Sequence, residues 1–146
     1  MVVYGSPAER EQIARVFHRE SPVRGGPFVR ADCAREEDLL RSALRAWIAG
    51  ERREPGTNPL LGAGRGTLFL DAITHLAPET QRLLLEFCTR YLNVTGTPGP
   101  ESWVGRLVVG SDEDPGDAVS NGTFLLELYD CINKVRIDLD RPGLPE

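Results

Sequence analysis

Short apolar runs alternating with helix-period patterns constrain this chain more than any single residue does. TLFLD, Thr67–Asp71, is the clearest strand. Val2–Tyr4, 27–31 (PFVRA), 106–110 (RLVVG) and 135–139 read as four more. Helices are expected over 7–20, with Ile13, Val16 and Phe17 as the apolar stripe, and over 36–49, through Leu39, Leu40, Leu44 and Trp47–Ile48. A third begins at Pro78, with Leu84, Phe87, Cys88 and Tyr91 inward. A broken helix is expected over 117–132, interrupted at Asn121-Gly122. Residues 50–66 carry five glycines and two prolines and read as loop. Strands alternating with helices predict an α/β fold: three layers, with a five-stranded parallel sheet between helices and right-handed crossovers. Ligands of such sheets bind at the carboxyl ends of the strands. Function is therefore sought after Tyr4, Leu70 and Gly110.

Composition narrows the function classes. The 146 residues carry a net charge of −5, and sixteen of the seventeen basic residues are Arg, scattered among acids. A nucleic-acid surface needs a clustered basic face, so direct DNA binding is not expected. No apolar run reaches the ~20 residues of a membrane span, and MVVYGSP lacks the features of a signal peptide. Cys33, Cys88 and Cys131 are widely spaced and odd in number, which fits a reducing cytoplasm better than a disulfide framework or a metal site. The expected metal set is none.

The first strand–turn–helix, VVYGSPAEREQIARVFH, stands where a phosphate-binding loop would stand. It has no second glycine and no lysine, and Pro7 lacks an N–H. Ser6-Pro7-Ala8-Glu9 fits a capping box, with Ser6 as N-cap, Pro7 first in the helix and Glu9 reaching back to the free amides. GAGRG at 62–66 precedes a strand instead of following one, the wrong context for a phosphate loop. His18 and His75 lack a ligand partner at helical spacing and read as packed or surface histidines. Cys33 reads as a small buried hydrophobe. The motifs at Asn93 and Asn121 match the glycosylation pattern, which a cytoplasmic protein does not use.

Taken together, HRESPVRGGPFVRADCA, GRGTLFLDAI and GTFLLELYDCINKVRIDL resemble, in this order, the AAA+ domain of sigma-54-dependent transcriptional activators. The resemblance runs from about Val2 to Leu139. It implies a Rossmann-like P-loop NTPase subdomain, ATP hydrolysis between subunits, and remodelling of the sigma-54 polymerase through a GAFTGA loop.

Residue by residue, that machinery is altered. Where the family has GESGTGKE this chain has GSPAERE, one residue shorter. Arg10 stands at the lysine position and Glu9 puts a carboxylate where an anion would bind. LFLDE becomes LFLDAI: Asp71, the magnesium position, is kept, and Ala72 replaces the glutamate that activates water. Asp112 replaces the sensor asparagine, inside an acidic turn ahead of Pro115. Leu125 and Cys131 stand at the two arginine-finger positions, whose guanidinium charge is worth on the order of 10³–10⁵ in rate in phosphoryl transfer. The GAFTGA tip becomes GERREP, and Trp47 stands where the family has His.

These departures define the expectations. Residues 1–146 form a single truncated AAA+ α/β subdomain without helical lid or DNA-binding domain. It is a pseudo-ATPase with no catalytic residue, acting in the cytoplasm through protein–protein interaction in transcription regulation. Its partner would be an intact AAA+ activator or a second copy. Gly5, Ser6, Arg10, Asp71 and Asp112 form a vestigial nucleotide site; Glu9, Ala72, Leu125 and Cys131 mark lost functions. No cofactor is expected. The alternatives are a sensor that binds ATP or ADP with magnesium without hydrolysis, and an ATPase completed in trans.

Overall fold

The computed structural model describes residues 2–50, 58–91, 105–132 and 136–138. In chain order the elements are β1 (Val2–Tyr4), α1 (Pro7–Arg19), β2 (Phe28–Asp32), α2 (Glu37–Ile48), α3 (Pro59–Gly62), β3 (Thr67–Asp71), α4 (Pro78–Arg90), β4 (Arg106–Ser111), α5 (Pro115–Ser120), α6 (Leu126–Ile132) and β5 (Arg136–Asp138). The strands are all parallel and lie in the order β2-β3-β4-β1-β5. Parallel register brings Gly5, Asp71 and Asp112, each at or just past a strand end, to one edge of the sheet.

The two faces of the sheet are covered unequally. Side chains alternate across a strand. Phe69, Val3 and Val108 turn toward α1, where Ala14 completes a small buried cluster flanked by Ile13, Phe17 and Phe28. Leu68, Leu70, Ala31 and Val109 turn the other way, into the main core with α2, α4, α5 and α6. Trp47 is a core aromatic there, edge-on to Phe87 and Tyr91.

Several sequence expectations need correction. The buried face of α1 is Arg10, Ala14 and His18, not the stripe through Val16, which is exposed. Ala14 lets the helix approach the sheet, and the polar residues at either end find partners there. His18 Nδ1 lies 2.7 Å from Thr67 Oγ1, and Nε2 lies 3.1 Å from the Gly26 carbonyl oxygen. On α2 the inward face is Leu40, Ala43, Leu44 and Trp47, and Leu39 is exposed. A short helix, α3, forms inside the stretch expected as loop: Asn58 Oδ1 accepts from Leu60 N–H at 2.8 Å and opens it. The GERREP tip and the Asn93 motif lie outside the described residues apart from Gly50, whose φ is 83°.

The broken helix is two helices, α5 and α6, joined through Gly122 at φ 78°. Buried Gln81 of α4 holds the joint. Its Nε2 donates to the Leu76 and Thr123 carbonyls at 2.8 and 2.9 Å, and its Oε1 accepts from Leu125 N–H at 2.9 Å.

Candidate functional site

Arg10 and Asp71, 61 positions apart in sequence, meet at the carboxyl edge of the sheet. α1 starts two residues after β1 and crosses the sheet, which brings Arg10 of its first turns over the end of β3. Arg10 Nε donates to Asp71 Oδ1 at 2.7 Å, and a terminal guanidinium nitrogen donates to the Gly5 carbonyl. The residues are 2% and 1% exposed, so this is a buried ion pair. Asp71 Oδ1 also accepts from Ala72 N–H at 3.0 Å, and Oδ2 accepts from Arg30 at 2.9 Å. Arg30 is half-buried and reaches Glu11 at 3.2 Å; Glu11 in turn pairs with Arg15 at 3.0 Å. Charge alternates along the chain Arg10, Asp71, Arg30, Glu11, Arg15. Burial of an ion pair is tolerated when further hydrogen bonds satisfy both partners, as they do here.

Gly110 makes room for this arrangement. A Cβ there would lie 2.5 Å from Asp71 Oδ1 and 3.0 Å from the Phe69 ring. Ala72, where the family resemblance has a glutamate, sits in the left-handed region at φ 57° and is buried, its amide turned back onto Asp71.

Ser6 is the N-cap residue of α1 with Pro7 at its first position. The capping box does not form in the expected way. Ser6 makes no side-chain cap bond among the described residues; its hydroxyl donates to Glu9 Oε1 at 2.9 Å. Glu9 therefore bonds the hydroxyl and not the helix amides, although its charge still faces the positive end of the helix.

Asp112 follows the next strand along and behaves differently. It is 45% exposed at the side chain and accepts from His75 Nε2 at 3.0 Å. Partial burial works to raise its carboxyl. The His75 hydrogen bond and charge, its own backbone and the Arg10 charge outweigh this and hold it below its ordinary 3.8. The acidic turn is divided in labour: Asp114 Oδ1 caps α5 by accepting from Gly116 N–H at 2.9 Å, ahead of Pro115. No group of three or more His, Cys, Asp or Glu able to hold a metal occurs among the described residues.

The edge thus brings together Gly5, Arg10 and Asp71, with Asp112 within electrostatic reach of Arg10. Leu125 and Cys131 lie apart from it, half-buried against the main core. Arg30 and Gly110 belong to the site and were not named as site residues in the sequence; His75, read there as a packed or surface histidine, joins it through Asp112. A glycine inside a strand, directly after Val108 and Val109, was the available signal for Gly110. Cys33, buried beside this edge, donates its amide to the Asp71 carbonyl at 2.9 Å. Burial, then the charges of Asp32 and Asp71, push its thiol far up.

Comparison with known proteins fits this architecture. The sequence model described as "Sigma-54 interaction domain" matches residues 2–138. The Nif-specific regulatory protein of Azospirillum brasilense is 35% identical over 89% of this chain and 22% of its own length. The transcriptional regulatory protein ZraR of Klebsiella oxytoca is 33% identical over 95% of this chain and 33% of its own length. The chain therefore spans a third or less of these relatives. In fold it is similar to NtrX from Brucella abortus in complex with ADP: TM-score 0.72, 21% identity, 94% of this chain and 31% of that one. It is also similar to the P-loop NTPase domain of a sigma-54 activator from E. coli: TM-score 0.57, 25% identity, 89% and 88%. With a three-layer P-loop NTPase architecture and a family match across nearly its whole length, this chain belongs to the sigma-54 interaction domain family.

Proposed function

We propose that this chain is a sigma-54-activator-type AAA+ module that has exchanged nucleotide chemistry for protein–protein interaction, acting in the cytoplasm in transcription regulation. One observation carries the reading: Arg10 and Asp71 neutralise each other. In the family arrangement the corresponding cation faces phosphate oxygens and the carboxylate faces magnesium. Here the guanidinium is held by Asp71 and the Gly5 carbonyl, and the carboxylate by two arginines and an amide. A triphosphate with magnesium would have to break a buried pair before either group could serve it, and leaving one such charge unpaired costs about 3–5 kcal/mol. Pro7 offers no N–H to the loop, and Ala72 offers no carboxylate to a water molecule.

The names of the relatives support transcription as the setting. The partner fitting this reading is an intact AAA+ activator or a second copy of the chain. Titration calorimetry with ATP and magnesium tests the nucleotide half. The expected result is binding no tighter than about 1 mM, with phosphate release at background. Turnover that Asp71→Ala abolishes would overturn it; tight binding without turnover would make the chain a nucleotide sensor instead.

A further inference from the structure

The seam between α4 and α6 holds two of the three cysteines. Cys88 lies on the inward face of α4 and is 1% exposed. Cys131 lies on α6, half-buried and packed against the same core cluster. The two helices pack directly on each other, and both residues are thiols. They are 43 positions apart in sequence, and the fold brings them together through a side-chain hydrogen bond across the seam. Cys33 lies on the loop after β2, its amide bonded to the Asp71 carbonyl at the carboxyl edge of the sheet.

We propose that Cys88 and Cys131 form a peroxide-sensitive dithiol pair whose oxidation to a disulfide fastens α6 to α4. The chemistry is a two-electron oxidation by a hydroperoxide. The more accessible sulfur, Cys131, attacks the peroxide oxygen as its thiolate. The O–O bond breaks, hydroxide or alkoxide leaves, and Cys131 becomes a sulfenic acid. The Cys88 sulfur then attacks the sulfenic sulfur, the S–OH bond breaks, and the Cys88 proton leaves with that hydroxyl as water. Two thiols and one hydrogen peroxide thus give one disulfide and two waters.

A hydrogen bond with Cys131, and then burial, raise the Cys88 thiol well above its ordinary 9.0. That assigns the first attack to Cys131 and makes the second step slow near neutrality, faster as pH rises. The pair is a slow responder to strong oxidation, in keeping with the transient redox role of most cytosolic disulfides. The product would tie down the helix from which Leu126, 53% exposed, projects into solvent. Oxidation therefore acts on the α6 surface and leaves the Arg10–Asp71 edge alone. This inference does not depend on the nucleotide reading above.

The test uses the full chain, treated with hydrogen peroxide and digested after blocking remaining thiols. The expected result is a linked pair of peptides, one carrying Cys88 and the other Cys131, which dithiothreitol separates. The oxidised chain melts at a higher temperature than the reduced one, and the difference disappears on reduction. Cys33→Ser keeps the link. Cys131→Ser loses it, as does Cys131→Ala should the serine disturb folding. Sulfinic or sulfonic Cys131 without a link, a link involving Cys33, or thiols unchanged by peroxide would each overturn the proposal.

Discussion

Asp71 and Asp112 follow neighbouring parallel strands, yet they occupy different electrostatic worlds. Asp71 is sealed beneath α1 with two arginines and an amide on its oxygens. Asp112 stands half in water with one histidine. The difference is position: Asp71 is the last residue of β3, under Arg10 of α1, whereas Asp112 lies one residue beyond the buried end of β4. Burial turns an ordinary ion pair into one whose loss is costly, whereas solvent screens the other.

The largest effect is expected from breaking the buried pair on one side only. Asp71→Asn leaves the Arg10 charge without its counter-ion and should destabilise the fold by about 3–5 kcal/mol, read by urea denaturation. Removing both charges together sharpens the point. Arg10→Met with Asp71→Leu should cost clearly less than the sum of the single changes, because no orphaned charge remains at Arg10. If the losses simply add, the two groups are not coupled as their geometry implies. Next comes Gly110→Ala, which pushes a methyl group to within 2.5 Å of Asp71 Oδ1. A loss of about 1–3 kcal/mol is expected, typical of overpacking, again by denaturation.

The exposed pair should give the smallest response. His75→Gln should change stability at neutral pH by no more than about 1 kcal/mol. Its signature lies in acid. The folded carboxyl of Asp112 sits below its ordinary 3.8, so the stabilisation it contributes is present above that value and is lost as pH falls through the lower, folded one. Removing His75 should bring the Asp112 titration, followed by carboxyl NMR, back toward the ordinary range. An unchanged titration would remove the histidine from the account.

The contrast between these two acids also marks what the sequence could say. Asp71 was legible as a strand-end acid, because TLFLD is a short apolar run closed by a carboxylate, and burial on both faces makes such strands read as continuous apolar runs. Arg10 was named at the lysine position of a vestigial nucleotide site, not as the ion-pair partner of Asp71. A pairing across 61 positions is not written in any local spacing. The α1 stripe misled for a related reason. Apolar periodicity finds Ile13 and Phe17, which flank the contact with the sheet, but the fully buried face is Arg10, Ala14 and His18, and the polar atoms of Arg10 and His18 are satisfied by residues outside the helix. Hydrophobic pattern reports where water is excluded; it is blind to polar groups that replace water with a protein partner. The α5–α6 break was legible at Asn121-Gly122, where glycine takes a conformation other residues avoid.

Gln81 carries a broader implication. It grips the α5–α6 joint through the carbonyl of Thr123 and the amide of Leu125, groups present whatever side chains those positions carry. The joint can therefore drift in composition across generations while its seat stays put. A surface anchored by main-chain handholds is free to explore new complementary shapes, and under the interaction role proposed above such freedom is raw material for acquiring partners.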